Sequence, residues 1–378
     1  MDGSGFPEYR STCAYCGVGC GVLLRPDGAG GVSVEGDPTH PANFGKLCSK
    51  GYALGETVGL ENRLLGAQVQ GAATPVDDAL QLVADRFKAT IAEHGPDSVA
   101  FYVSGQLLTE DYYVANKLMK GFIGSANIDT NSRLCMASTV AGHKRAFGTD
   151  TVPGTYEDLD GADLVVLVGS NLAWCHPVLY QRLAAARAER GTKIVVVDPR
   201  RTSTCDIADL HLALRPGSDV ALFNGLLTHL HTTGTLDHDF IANHSNGAEE
   251  AFAAAAQDDP TKTGLSAQAL ADFYALFART ERTVTVFSQG VNQSSSGSDK
   301  VNAILNCHIA TGRIGMPGMG PLSVTGQPNA MGGRETGGLA NMLAAHMDLE
   351  NATHRAAVQA FWSAPTIANQ PGKKAVDM

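Results

Sequence analysis

Residues 163–201 read DLVVLVGSNLAWCHPVLYQRLAAARAERGTKIVVVDPRR. The apolar run 163–168 ends in Gly169-Ser170-Asn171. Residues 177–190 have helical spacing, open on Pro177 and stop at Gly191. A second apolar run, 193–197, ends in Asp198-Pro199-Arg200-Arg201. Short β-branched runs joined by a helix predict parallel strands buried on both faces. The alternation continues with a strand at 211–214 and a helix at 219–229 that begins at Gly217-Ser218-Asp219. A strand at 283–287 follows, ending in Ser288-Gln289-Gly290, and then a helix at 299–311. The expected class is α/β: a Rossmann-like parallel sheet wrapped by helices, with ligands beyond the carboxyl ends of its strands.

Upstream, Val76, Ala79, Leu80, Val83, Phe87 and Ile91 share one helical face between Pro75 and Gly95-Pro96. A strand at 98–103 and a helix at 110–122 follow. The first 60 residues are rich in Cys, Gly and Pro, with short strands Val22-Leu23-Leu24 and Val32-Ser33-Val34-Glu35 around Pro26-Asp27-Gly28. So small a unit has little core of its own and depends on a metal centre. Residues 313–340 are expected to be a glycine-rich loop region, with two short helical patterns after it. The expected division is therefore 1–60 as a metal-centred domain and 131–287 as a Rossmann-like domain. Residues 61–130 with 288–378 form a second, incomplete α/β domain.

The 378 residues carry 28 Lys and Arg against 38 Asp and Glu, net −10, which argues against broad nucleic-acid or anionic-membrane binding. No apolar run reaches the roughly 18 residues that a membrane helix needs. Residues 1–10 show neither a basic segment leading into an apolar core nor a twin-arginine pair, and Arg200-Arg201 is internal. The expected location is the cytoplasm. No G-x-G-x-x-G in strand–helix context and no Walker loop occurs, so neither NAD nor ATP is expected here.

Four of eight cysteines fall in the first 48 residues: Cys13, Cys16, Cys20 and Cys48, spaced C-x2-C-x3-C-x27-C. Three close thiolates on a glycine-studded loop, closed by a distant fourth, suit a cubane [4Fe–4S] cluster. Gly17, Gly19 and Gly21 are expected to turn the loop and aim amides at the sulfurs. A structural zinc site is the alternative, although zinc more often pairs two C-x2-C knuckles. Lys50, two residues after Cys48, is either a surface cation or a charge beside the electron path. Cys175, Cys205 and Cys307 have no ligand spacing and are expected in the core, and His176 is expected to pack or support rather than ligate. Gly169-Ser170-Asn171 offers backbone donors for phosphate at a helix start. Asp198 and Arg200 follow the next strand, where a guanine or ribose can be held.

At these residues the chain resembles a family. Cys13-Ala-Tyr-Cys16-Gly-Val-Gly-Cys20 with Gly45-Lys-Leu-Cys48-Ser-Lys50-Gly51 resembles the molybdopterin oxidoreductases that carry an N-terminal [4Fe–4S] cluster. Asn131-Ser-Arg-Leu-Cys135-Met-Ala-Ser138 resembles the molybdenum-ligand segment of cytoplasmic and periplasmic nitrate reductases. Thr325-Gly-Gln-Pro-Asn-Ala-Met331-Gly-Gly-Arg334-Glu335 looks most like the assimilatory nitrate reductase catalytic subunit. The resemblance implies that Cys135 is the thiolate ligand of molybdenum held by two molybdopterin guanine dinucleotides, a soft sulfur for a high-valent metal. It places Lys50, Gln106, Asn131, Gln289 and Gln293 against the pterin.

Arg334 is the candidate for pairing two oxygens of the planar substrate anion, and Met331 for the apolar wall of the pocket. The implied reaction is reduction of nitrate to nitrite, with electrons from a flavoprotein, ferredoxin or NADH-linked donor. Family members continue into a C-terminal half that completes the second domain and clamps one dinucleotide. The chain looks cut, and alone it is expected not to hold the full cofactor. Three alternatives remain open: a cytoplasmic formate dehydrogenase, a non-catalytic iron–sulfur electron-transfer module, and a zinc-stabilised binding protein. Met136, where formate dehydrogenases usually carry His, weighs against the first.

Overall fold

The computed structural model describes residues 7–378; the reading of a leader rests partly on residues 1–6, which lie outside it. Strands β1 (Tyr9–Thr12), β2 (Gly21–Pro26) and β3 (Val32–Gly36) form an antiparallel sheet in the order β1-β2-β3. A hairpin of β4 (Ala67–Val69) and β5 (Ala72–Thr74) leads into the helix Val76–His94. Strands β6 (Phe101–Val103) and β7 (Ile128–Thr130) then pair in parallel. The helix Thr109–Asn116 lies between them and runs on as a wider π-turn, Lys117–Ile123.

The main sheet consists of β8 (Leu164–Val168), β9 (Lys193–Val197), β10 (Leu210–Leu212), β11 (Thr283–Phe287) and β12 (Gly320–Ser323). Their order is β10-β9-β8-β11-β12, parallel throughout. Side chains alternate between two cores. Leu164, Val166 and Val168 face the helices Asp219–Thr232, Ala267–Arg279 and Gly297–Ala310. Val165 and Leu167 face the helix Pro177–Arg190 together with Val18, Val22 and Leu47 of the N-terminal unit. The cysteine-rich unit is thereby seated on one face of the sheet. Arg182 pins it there: the guanidinium donates to the carbonyls of Pro41 and Ala42 at 2.6 and 3.0 Å while holding Asp160.

Winding reverses between β8 and β11, and in such sheets the crevice at that reversal is the ligand site. The loops that leave these two strands touch through glycine backbone alone. A Cβ on Gly169 would lie 2.6 Å from the Cα of Gly290, and one on Gly290 would lie 2.5 Å from the Cα of Gly169. Gly290 N–H also donates to Gly169 O at 3.0 Å.

Three expectations change. Residues 288–378 do not all belong with 61–130, because β12 lies beside β11 and the helix Gly297–Ala310 packs in the main core. The region 313–340 contains that strand and the helix Ala330–Glu335 rather than loop alone. The apolar face of Val76–His94 is packed only at Phe87 and Ile91, while Val76, Leu80 and Val83 are exposed.

Gly290→Ala is expected to destabilise the protein by about 1–3 kcal/mol through overpacking alone. Gly169→Ala should cost about 1–2 kcal/mol more, because Gly169 has φ +53°. Denaturant unfolding measures both; midpoints equal to the native protein's would show that the two loops do not meet as described.

Candidate metal and cofactor centre

The loop between β1 and β2 folds back on itself, with Cys13 N–H donating to Cys20 O at 2.8 Å. Asn43 closes it, accepting from Gly21 N–H at 2.8 Å and donating to Gly21 O at 3.0 Å. Cys13, Cys16, Cys20 and Cys48 then line one narrow pocket, walled by Val18, Leu47 and Val178. The four cysteines, brought to one pocket from the spacing C-x2-C-x3-C-x27-C, suit a cubane cluster better than zinc, which more often takes two C-x2-C knuckles.

Burial raises the pKa of Cys13 and Cys16, and it pushes Cys20 up to about 12 with the neighbouring cysteines adding to the rise. Three desolvated thiolates crowded together are unfavourable without positive charge among them, and iron would provide it. The amides that oppose this rise belong to Tyr15, beside Cys13, and Val18, beside Cys16. The expected glycine donors are engaged elsewhere: Gly17 with Gly326 O, Gly19 with Cys16 O and Gly21 with Asn43. The glycines serve close approach instead, since a Cβ on Gly17 would lie 2.2 Å from Thr325 O. Lys50, exposed on the short helix Ser49–Tyr52, acts electrostatically on Cys13, Cys16 and His176. Tyr156, which the sequence did not single out, donates to Gly17 O at 3.0 Å beside the same cysteines.

The second centre lies at the sheet reversal. The helix Ser132–Phe147 begins after β7 and buries Cys135 in its first turn. Gln289, just after β11, points its amide Nε2 at Cys135 Sγ, 3.0 Å away. Gln293 donates to Leu134 O at 3.2 Å. Asn131 accepts from Gly105 N–H at 2.8 Å, which ties the helix start to the loop carrying exposed Gln106. Ser170 is buried beside Gly169 with its hydroxyl unpartnered. Asn171 accepts from Thr204 at 2.7 Å. Asp198 is buried and accepts from Arg200 N–H at 2.8 Å, while the Arg200 side chain stays exposed.

Gly217 has φ +88°, and Ser218 donates to Arg215 O rather than capping its helix. The Asp219 carboxylate is taken up by buried Lys300 at 2.7 Å, so only backbone remains there for a ligand. A buried thiol facing an amide, an orphan hydroxyl and a glycine-lined crevice fit a thiolate-ligated metal carried on a phosphate-bearing cofactor.

One loop joins the two centres. After β12, Thr325 O accepts from His176 Nε2 at 2.6 Å, Gly326 O accepts from Gly17 N–H at 3.2 Å, and Gln327 packs on Gly105. A Cβ on Gly326 would sit 3.5 Å from Gln289 Nε2, the atom that faces Cys135. Arg334 is set back from this junction. On the helix Ala330–Glu335 it is 7% exposed and pairs with Asp150 at 3.3 Å, with His143 in electrostatic reach two turns beyond Cys135. Met331 is exposed, and it lines a cavity of about 400 Å3 with Gly17, Asp150 and Thr325. Cys205 and Cys307 are buried, but Cys175 is exposed at the outward end of its short helix, against expectation.

The fold and these two centres define a class of redox protein, and the sequence agrees. Residues 77–378 match the molybdopterin oxidoreductase family and residues 7–59 the molybdopterin oxidoreductase Fe4S4 domain. The chain belongs to the molybdopterin oxidoreductase family. It is 57% identical to a nitrate reductase of Klebsiella oxytoca over 98% of this chain and 43% of that protein. It is 39% identical to a periplasmic nitrate reductase of Desulfovibrio desulfuricans over 96% and 51%. The chain thus spans about half the length of the curated relatives it matches. Acetylene hydratase from Pelobacter acetylenicus shares the fold, with a TM-score of 0.70 at 22% identity over 79% of this chain and 42% of that one.

Anaerobically purified protein is expected to contain about four iron atoms and no zinc per chain, and Cys20→Ala should lose the iron. One zinc and no iron would overturn the cubane. Removing Arg334 alone strands a buried carboxylate, so Arg334→Met should cost about 3–5 kcal/mol, most of it recovered when Asp150→Leu is added. Thermal unfolding of the single and double variants checks the pair.

Proposed function

We propose that the chain is the cluster-bearing half of a molybdenum-dependent nitrate reductase working in nitrate assimilation in the cytoplasm. The observation that carries this reading is the junction at residues 324–327, which touches the cysteine loop at Gly17 and approaches the Gln289 amide that faces Cys135. An electron arriving at the four-cysteine site therefore has a short packed route to the thiol. The identities with nitrate reductases support the choice of substrate.

The residues have distinct tasks. Cys13, Cys16, Cys20 and Cys48 hold the [4Fe–4S] cluster, and Cys135 with the crevice at Gly169 and Gly290 holds the molybdenum cofactor in its bis(guanine dinucleotide) form. That cofactor supplies the two-electron, oxygen-transfer chemistry. Gln289 fixes the orientation of the sulfur and Lys50 adds positive charge beside the cluster. Asp198 and the backbone around Ser170 and Gly217 take the polar ends of the dinucleotides.

Arg334 presents a guanidinium whose Nε has no hydrogen-bond partner in the described structure. Nitrate, planar and anionic, is the kind of ligand such a group pairs with, and Met331 supplies an apolar wall. Asp150 holds the guanidinium in place and moderates its charge. Overall, nitrate, two electrons and two protons yield nitrite and water. The electrons come from a flavoprotein, ferredoxin or NADH-linked donor. No helix among the described residues is long and apolar enough to cross a membrane.

In the enzyme carrying this chain, Cys135→Ala should abolish nitrate reduction and lower molybdenum content while iron is retained. Nitrite formation and metal analysis check this together. Formate oxidation without nitrate reduction in the native enzyme would replace nitrate reductase with formate dehydrogenase.

A further inference from the structure

The segment that follows Arg334 is held by one face of one helix. Tyr112, Asn116 and Lys120 occur at i, i+4 and i+8 along Thr109–Asn116 and its π-turn continuation, so they present one stripe. Each meets the chain between residues 333 and 342. Gly333 packs so closely on the Tyr112 ring that a Cβ would come within 2.7 Å, and Gly338 lies against the same ring. Asn116 Nδ2 donates to Thr336 O at 2.6 Å.

Lys120, with no exposed surface, donates from Nζ to Gly337 O, Leu339 O and Met342 O at 2.6, 2.7 and 2.6 Å. An ammonium has three N–H donors and a neutral amine only two, so the charged form alone satisfies all three carbonyls. Burial pulls the Lys120 pKa down to about 7, with Asp129 on β7 opposing the fall and Arg133 on the next helix adding to it. The carbonyls also resist the fall, because they are met in full only by the charged group. Such a group is expensive to bury and does nothing for the core by packing alone. Its three carbonyl partners lie two to seven residues beyond the end of the Arg334 helix, so the charge ties down the segment that follows it.

We propose that Lys120 is a positioning residue for anion recognition: its ammonium folds residues 337–342 into a fixed hook that holds the Arg334 helix, and with it the guanidinium, against Asp150. The role assigned to Arg334 rests on the proposed function, whereas the hook rests on geometry alone. The hook also has amides with protection to lose, since Gly337 N–H donates to Arg334 O at 3.0 Å and Gly338 N–H to Gly333 O at 2.7 Å.

The test compares the native enzyme with Lys120→Met, which keeps the length of the side chain and removes its charge. Hydrogen exchange of the amides at 337–343 should rise about tenfold or more, with exchange in β8 and β11 unchanged. The KM for nitrate should rise about tenfold with kcat within about twofold and iron content unaltered. Unchanged exchange in the segment, or a fall in kcat at constant KM, would overturn the proposal. If the native enzyme does not reduce nitrate, the functional reading fails while the exchange measurement still decides the hook. If Lys120→Met cannot be recovered folded, Asn116→Ala must raise exchange at Gly337 and Gly338; no change there overturns the proposal equally.

Discussion

Two glycines in contact set the arrangement on which the rest depends. Gly169 and Gly290 bring the exits of β8 and β11 within backbone contact at the point where the sheet reverses its winding. Any side chain at either position would force the loops apart and widen the crevice. Because they meet, Gln289 is delivered to Cys135, and Ser170 beside Gly169 is left buried with its hydroxyl unpartnered. The Lys300–Asp219 pair lies behind this contact, with Lys300 Nζ 3.5 Å from Gly290 O, so a buried ion pair backs the loop that aims Gln289.

Buried charge is used repeatedly to join elements distant in sequence. Arg182 ties the cysteine-rich unit to the helix on the main sheet, Arg334 meets Asp150, and Lys120 gathers three carbonyls more than 200 residues away. Such pairs contribute little net stability once desolvation is counted, but breaking one leaves an uncompensated charge. They therefore act as registry devices. Each one fixes a segment whose own residues, largely glycine and short polar side chains, have little apolar surface to bury. The 324–342 region is the clearest case, since its position follows from contacts with Gly17, His176, Asn116 and Lys120 more than from a core of its own.

Much of this was legible in the chain itself. The apolar runs at 164–168, 193–197 and 283–287 carry enough β-branched residues to announce buried parallel strands, and the glycine or proline stops of the helices between them mark the crossovers. Cysteine spacing announced the grouping of Cys13, Cys16, Cys20 and Cys48 around one pocket. Strands β7, Ile-Asp-Thr, and β12, Gly-Pro-Leu-Ser, were not legible, because neither carries an apolar β-branched run and each exists only by pairing with a neighbour. Nor were Asp150, Tyr156, Lys120 and Lys300: a charged or hydroxyl side chain in isolation reads as solvated surface, and its burial is a property of what packs over it.

Local patterning therefore determined which segments are strands or helices, the class of sheet they build, and which cysteines are the candidate ligands, since each of these depends on residues near one another in sequence. The tertiary structure alone decided which strand ends adjoin and which amides face the sulfurs. It also decided where Arg334 finds its carboxylate. These relations are set by contacts across about 120 to 220 residues of chain, and no local period or spacing encodes them.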